Sequence, residues 1–458
     1  MSDFVSVGMQ DFVYSRYAGL REVEPGRIHV FSVLGERIGY DVASGAVHSL
    51  DEQAYEVLTQ LEQCGSLDER TTRSAKQSGV LDEIEELRQS GVLFSEPPPY
   101  PALEPAPNIK ALCFNVTHDC NLRCGYCFAG GAEPCYMSEQ TAIQAIDFLL
   151  AHSGPRPTCE IDFFGGEPLM NFDVVRSAVK YAREREAETN KRFRFTLTTN
   201  ATLLNPEVTD FLNAEQMQVI LSIDGRPEVH DEFRCFASGR GSHALVLENV
   251  LSFLESRDFE NYYVRGTYTA QNLDFAEDAR WFLDQGIRCF SLEPVVRETS
   301  CEYAIRESDL GRISMEYERL LELYLDERFT FFHFDIDLLG GPCLSKRMSG
   351  CGAGREYLLV SPDGSLYPCH QLDGVERFNM GSVQEPRLSS VRDEFGAMSM
   401  AGKEECRSCW ARYLCGGGCH AAAWFMSGSL QRPDKIACEI QKIRLRCAIY
   451  AQAARQAE

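Results

Sequence analysis

From Ile28 onward, apolar and polar residues alternate in three short runs, IHVFSVL, RIGYDV and AVHSL, parted by turn signals at Gly35 and at Ser44 with Gly45. Period-two alternation bounded by turn residues predicts three short strands. Asp51 is suited to cap a helix, and Ala54, Val57, Leu58 and Leu61 recur behind it at helical spacing. Two more helical segments run to Phe94, so residues 1–96 read as a small hairpin-plus-helices domain. Six prolines in SEPPPYPALEPAP favour extended, semi-rigid backbone and mark a linker over 97–107.

Beyond the linker the beat changes. ALCFNV, EIDFF, FRFTLT, QVILSI, YYVRGTYT and RCFSLEPV read as strands, with amphipathic helices between them. One helix carries Val175, Ala178, Val179 and Ala182 on a face; another holds Trp281 and Leu283 and stops at Gly286. This alternation predicts βα units on a parallel sheet. Six units fall short of the eight that close a barrel, so the expected fold is α/β, a partial, open (β/α)6 barrel over 108–330. After a last long helix at 316–325 the periodicity fades, and residues 331–458 read as a loop-rich domain organised around Cys and Gly.

Composition narrows the function classes. With 44% hydrophobic and 25% charged residues the chain is globular, and no apolar run approaches the roughly 18 residues of a spanning helix. MSDFVSVGMQDF is acidic and polar where an export signal is basic and then apolar, so a cytoplasmic protein with no membrane partner is expected. A formal net charge of −23 argues against a nucleic-acid partner, which would be held by clustered Lys and Arg. Nineteen cysteines in a reducing compartment point to metal ligation or catalysis instead of disulfides.

The densest group is CNLRCGYCF, in which Cys120, Cys124 and Cys127 follow the first barrel strand, at the rim where parallel α/β folds place their chemistry. Three thiolates are one short of what tetrahedral zinc or a cubane iron–sulfur cluster takes. On a cubane the shortfall leaves one iron open to a small molecule. A zinc loop completed by a distant residue, or buried structural thiols, are the alternatives. Downstream, Cys351, Gly364 and Cys369 precede CRSCWARYLCGGGC, which supplies Cys406, Cys409, Cys415 and Cys419, with Cys438 after a gap. By spacing alone that run also suits a zinc ribbon. Most other cysteines read as small hydrophobes, while Cys135, in the loop after the first motif, is open to substrate or cluster contact.

A C-x3-C-x2-C motif with an aromatic before its last cysteine resembles that of the radical S-adenosylmethionine (radical SAM) enzymes. The resemblance implies that the open iron holds the amino and carboxylate groups of S-adenosyl-L-methionine, whose cleavage gives a 5′-deoxyadenosyl radical. It implies that GGEP, with Gly165, Gly166 and Glu167, holds the methionine ammonium. Ser222 and Asp224 of SIDG are then expected near the ribose, with Thr199, Asn200 and Arg265 as further cofactor contacts. The C-terminal pattern is similar to the SPASM domain, which carries two auxiliary 4Fe–4S clusters and brings the expected total to three. By that resemblance Cys406, Cys409, Cys415 and Cys438 hold one; Cys351, Cys369 and Cys419 hold the other. Its fourth position falls to Cys343 or to a substrate thiolate. No catalytic acid or base is identified.

YDVASGAVHSLDEQAYEVL resembles the winged-helix-like peptide-recognition element of peptide maturases, where a leader peptide adds as a strand beside the third strand, here residues 46–50. A winged-helix DNA binder is the other reading, and the acidic balance opposes it. Over nearly its full length, through NVTHDCNLRCGYCFAG, DFFGGEPLMNFDVV, RFTLTTN, YYVRGT and GCGAGREYLLVSPDGSLYPCHQ, the chain resembles the six-cysteine peptide (SCIFF) maturases. That implies a thioether between a cysteine sulfur and the α-carbon of another residue in a ribosomally made, cysteine-rich precursor peptide, with a low-potential electron donor as second partner. Two neighbouring reactions stay open: linkage to a β- or γ-carbon of Asp or Glu, and formylglycine-type oxidation. The loop GGAEPCYMS departs from the group's pattern.

Overall fold

A computed structural model of the chain describes residues 20, 23–100, 108–129, 133–298, 300–338, 348 and 350–457. Strands β1 (Ile28–Val33), β2 (Glu36–Asp41) and β3 (Val47–Ser49) form an antiparallel sheet in that order, followed by α1 (Glu52–Cys64), α2 (Glu69–Ser78) and α3 (Val80–Gln89). Asp51 caps α1, its carboxylate accepting from the Ala54 N–H at 2.7 Å. Successive residues of a strand face opposite sides, and β1 uses both. Val30 packs with Val57, Leu61 and Ile84 in a small core, while Phe31 and Val33 join the large core of the rest of the chain. In the expected linker, residues 97–100 have no regular structure, and 101–107 lie outside the described residues.

The six expected strands are present: β4 (Ala111–Asn115), β5 (Thr158–Phe164), β6 (Arg192–Thr199), β7 (Gln218–Ser222), β8 (Tyr262–Tyr268) and β9 (Cys289–Pro294). Each pairs in parallel with the next. Between and after them lie α4 (Glu139–His152), α5 (Phe172–Glu188), α6 (Pro206–Ala214), α7 (Pro227–Phe233), α8 (His243–Glu255), α9 (Phe275–Asp284) and α10 (Leu310–Asp326). Phe193, Phe195 and Leu197 of β6 and Val264 and Tyr268 of β8 are buried on one face. Arg194, Thr196 and Thr198, with Tyr263, Arg265 and Thr267, alternate with them on the inner face and are more open.

The sheet is longer than the sequence pattern predicts. β10 (Thr330–Phe331) extends it beside β9, and β11 (Tyr357–Val360) joins in parallel to β4, with β12 (Leu366–Tyr367) antiparallel beyond. Strands of two to four residues carry no readable period, and these lie at or within the Cys- and Gly-rich region.

Contrary to the sequence pattern, α10 is not the last long helix. After α11 (Ser389–Ala397) and α12 (His420–Ser427), α13 (Lys435–Ala457) runs for 23 residues and packs along α10. Its buried face mixes Ile440, Ile443, Cys447, Ala448 and Ala451 with Arg444. The guanidinium of Arg444 donates to Tyr317 Oη at 2.6 Å and to the Leu292 carbonyl at 3.2 Å. A face of small and charged residues hides its periodicity until partners cover it.

The N-terminal sheet leans on the C-terminal region. His29 stacks on Trp410 with ring centroids 4.0 Å apart, and Arg412 Nη1 donates to the Gly26 carbonyl at 2.8 Å. Gly26 has φ 75°, and a Cβ there would lie 2.3 Å from the Ser408 carbonyl oxygen, so no larger residue fits. Among the described residues no helix is long and apolar enough to cross a membrane.

Asp51→Ala is expected to cost about 1 kcal/mol of local stability. Hydrogen exchange should then quicken in α1 and not in β5 or β6; unchanged α1 protection would show that the cap carries no weight.

Candidate active site

The Cys120–Cys127 loop leaves the C-terminal end of β4 and is gripped from two sides. On the first side, Gly166 N–H donates to the Thr117 carbonyl at 2.7 Å and Glu167 N–H to the Asp119 carbonyl at 2.9 Å. That approach needs glycine: a Cβ on Gly166 would lie 2.1 Å from the Asp119 oxygen, and one on Gly165, at φ 148°, 2.4 Å from the Thr117 oxygen. On the second side, Arg123 N–H donates to the Cys235 carbonyl at 2.7 Å and Gly125 N–H to the Phe233 carbonyl at 3.0 Å. Arg297 Nη2 adds bonds to the carbonyls of Tyr126 at 3.0 Å and Cys127 at 2.5 Å, and Tyr303 Oη one to Gly125 at 3.0 Å.

The expected cofactor residues fall at the ends of β5, β6 and β7 and, for Arg265, within β8, and several already serve protein partners. Glu167 is fully buried; Oε1 accepts from Leu169 N–H at 3.0 Å and Thr199 Oγ1 at 2.7 Å, and Oε2 from Asn200 N–H at 2.7 Å. Burial pushes its carboxyl up to about 7, against the pull of those three donors. The same bonds tie Thr199 and Asn200 to the GGEP turn. Asn200 Nδ2 also reaches Asn121 Oδ1 at 2.9 Å and lies 3.7 Å from Cys120 Sγ. Asp224 is buried, with both carboxylate oxygens accepting from protein donors. Ser222 sits opposite Arg265 across β7 and β8. The Arg265 side chain is 56% exposed, with Glu293 at 3.9 Å.

The cysteine side chains gather into three sets. Burial raises Cys120 to about 11, helped by Glu167 and then Cys127, and raises Cys124 to about 12, with Cys127 again beside it. Cys406 and Cys438 rise to about 11 and about 12 by burial, in company with Cys409 and Cys415. Burial lifts Cys369 to about 12, with Cys419 and Cys351 adjacent. Cys343 lies outside the described residues. Among the described residues no group of three His, Cys, Asp or Glu closes on one point as a single metal ion would require. A cubane binds each thiolate through a different iron and does not need such convergence.

The charge around these thiols supports the same donor set. Lys403 is 2% exposed, donates to the Gly417 carbonyl at 2.7 Å, and lies beside Cys406, Cys415, Cys438 and Cys419. Among the described residues no carboxylate pairs with it. A buried ammonium beside neutral thiols is costly, whereas thiolates around a metal cluster would balance it. Lys403 and the loop-gripping residues Arg297 and Tyr303 left no mark in the sequence motifs. Only Lys403 stands near one, as the basic residue three positions before Cys406.

An aromatic cluster joins the end of the rim loop to the segment that carries Cys369. Phe128, after Cys127, and Phe164 both pack on His370, which follows Cys369, at centroid distances of 5.6 and 4.9 Å. Asp373 accepts from Asn115 Nδ2 at 2.7 Å and Ser361 Oγ at 2.6 Å, and His118 Nε2 lies 3.0 Å away. Burial alone would raise this carboxyl, but those hydrogen bonds hold it below its ordinary range.

A family described as a 4Fe-4S single cluster domain matches residues 110–247, and SPASM, an iron-sulfur cluster-binding domain, matches residues 351–410. The chain is 30% identical over 297 residues to an uncharacterized protein of Methanocaldococcus jannaschii, covering 62% of this chain and 94% of that one. It is 25% identical over 336 residues to the cysteine-type anaerobic sulfatase-maturating enzyme of Clostridium novyi, covering 68% and 88%. Streptococcus suis SuiB shares the fold in two crystal structures. Bound to S-adenosylmethionine it has TM-score 0.54 and 15% identity, covering 91% of this chain and 100% of that one. Bound to the precursor peptide SuiA the values are 0.53 and 17%, covering 91% and 99%.

Gly166→Ala should drive the GGEP turn off the Asp119 carbonyl and loosen the loop before Cys120. Hydrogen exchange at 117–122 in metal-free protein is expected to rise at least about tenfold, equivalent to roughly 1.4 kcal/mol or more. Wild-type protection would mean that the two backbone bonds do not hold the loop.

Proposed function

Because the chain belongs to the radical SAM proteins that carry a SPASM domain, we propose that it is a peptide maturase that joins a cysteine sulfur to the α-carbon of another residue in a ribosomally made, cysteine-rich precursor. The observation that carries this reading is the grouping of ten thiols into sets of three, four and three, the first at the rim of the barrel's inner face. Cys120, Cys124 and Cys127 would hold the cofactor-binding cluster. Cys406, Cys409, Cys415 and Cys438 would hold one auxiliary cluster, and Cys351, Cys369 and Cys419 the other, completed by Cys343 or a substrate thiol. S-adenosyl-L-methionine bound at the first cluster would supply a 5′-deoxyadenosyl radical able to take hydrogen from an unactivated carbon.

The chain's own residues position and exclude. The turn at Gly165 and Gly166 brings backbone close to the cysteine loop, and Glu167, Thr199 and Asn200 lock that turn to the end of β6. Ser222 and Arg265 lie on the inner face, where a cofactor at the rim set would extend. Joining sulfur to carbon removes two hydrogens from the peptide, a two-electron oxidation, so redox centres beyond the first are chemically called for.

A peptide substrate is supported by β3, an edge strand. Its pairing with β2 puts Ala46, His48 and Leu50 in the hydrogen-bonded positions, which turns the Val47 and Ser49 amides toward the open edge. A leader peptide would add there as a further strand. The fold shared with SuiB, solved with its precursor peptide, points the same way. Residues 1–96 then serve recognition, 97–107 a linker, 108–330 the radical chemistry and 331–458 the auxiliary clusters, in a cytoplasmic enzyme served by a low-potential electron donor.

Anaerobic reconstitution should give about twelve irons per chain, and reduction with S-adenosyl-L-methionine should give 5′-deoxyadenosine. Replacing Cys120, Cys124 and Cys127 by Ala should abolish that product; its survival would defeat the assignment. Fragmentation mass spectrometry of processed peptide decides the bond: an α-linked thioether opens by elimination, a β- or γ-linked one survives, and formylglycine leaves one modified residue and no crosslink. Ser49→Pro, which spares the pairing with β2, should weaken processing of the full-length precursor at least about tenfold while leaving cofactor cleavage intact. Unchanged processing would reject leader addition at β3.

A further inference from the structure

Asp224 is the third residue of SIDG, where the family resemblance implies a contact to the ribose. Its carboxylate is not free to make one. Oδ1 accepts from the Thr267 N–H at 2.9 Å; Oδ2 accepts from Arg234 Nε at 2.9 Å and from the Tyr126 hydroxyl. The residue is 1% exposed, and its own N–H faces His230 Nδ1 at 3.3 Å. Three strong donors on a carboxylate closed to solvent leave little room for a ligand hydroxyl.

Tyr126 stands between Cys124 and Cys127, so the anchored hydroxyl belongs to the cysteine loop itself. Its ring packs on Phe233 at 5.3 Å between centroids, and the Arg234 guanidinium lies over it at 5.4 Å. The segment that supplies Phe233 and Arg234 also holds the loop by backbone, through Phe233 and Cys235 to Gly125 and Arg123 and through the bridge between Leu122 and Phe236. Side-chain and main-chain bonds therefore converge on one stretch of loop from one seat.

We propose that Asp224, acting through Tyr126 and Arg234, is a positioning residue that seats the cysteine loop, and not a contact to the cofactor. This rests on the reading of Cys120, Cys124 and Cys127 as cluster ligands. A seat of this kind fixes where the open iron presents a bound molecule, and misplacement by about 1 Å is enough to cost on the order of a hundredfold in rate. Asp224 also balances the buried Arg234, which lies within electrostatic reach of Cys124. Taking away that negative charge leaves an uncompensated cation beside the cluster and favours the reduced state.

The test uses full-length, anaerobically reconstituted protein. If the wild type releases no 5′-deoxyadenosine, the radical SAM reading fails, whatever the variants do. If it does, Asp224→Asn and Tyr126→Phe are compared with it for 5′-deoxyadenosine formation and for the midpoint potential of the cofactor-binding cluster. The seat predicts, for both variants, KM for S-adenosyl-L-methionine within about twofold of wild type and kcat down at least about tenfold. The potential should move positive in Asp224→Asn and stay in place in Tyr126→Phe, which changes no charge. A tenfold or greater rise in KM for Asp224→Asn with kcat retained would make Asp224 a cofactor contact and overturn the proposal. So would wild-type kcat in Tyr126→Phe, the milder variant, which decides the matter even if Asp224→Asn does not fold.

Discussion

Three thiols on one short loop can act together only if that loop has a single conformation, and an eight-residue loop without regular structure does not supply one by itself. In this chain rigidity is imported. The GGEP turn grips the residues before Cys120, the segment after α7 grips those between Cys120 and Cys127, and Arg297 holds the carbonyls at the far end. Each grip comes from a connection that follows a different strand of the sheet, β5, β7 or β9. The parallel sheet brings the ends of those strands to one rim, and its buried outer face fixes their spacing.

Charge is managed by the same logic. A protein with a formal net charge of −23 keeps a few cations deep inside, and two of them lie beside cysteines: Arg234 near Cys124 and Lys403 among the C-terminal thiols. Arg234 is balanced by Asp224, whereas Lys403 meets a carbonyl and sulfur and, among the described residues, no carboxylate. An anionic metal cluster would turn that costly arrangement into a favourable one. Burial holds the metal-free thiols of Cys120, Cys124, Cys369, Cys406 and Cys438 protonated, so loading the sites would release protons and make metal uptake depend on pH.

The N-terminal sheet is not a loosely tethered appendage. Phe31 and Val33 belong to the large core, and His29 stacks on Trp410, the residue after Cys409. The proposed peptide-binding edge at β3 is thus two strands from a side chain that touches a cysteine-bearing loop. Aromatic contacts through Phe128, Phe164 and His370 likewise join the rim loop to the Cys369 region, so the thiol sets sit within one continuous packed body.

Much of this was legible from residue order. Ligand spacing is set along the chain, so C-x3-C-x2-C and the C-terminal cysteine run could be read directly; the six barrel strands are apolar or alternating enough to be seen, and Asp51 announces the start of α1. Other features depend on distant partners and left no local trace. β11 is four residues long and becomes a strand because β4 and β12 offer it ladders, and α13 hides its face behind Arg444, whose burial rests on Tyr317 and Glu293. Sequence could mark Asp224 and Glu167 as acids at strand ends. Whether their oxygens were open to a ligand depended on donors 98 and 32 residues away, Tyr126 and Thr199. The sequence by itself determined which residues could carry the chemistry, because their identities and spacings are covalent. The tertiary structure decided which of them are already spent on holding the others in place, because hydrogen-bond capacity is finite and is consumed by whatever the fold brings near.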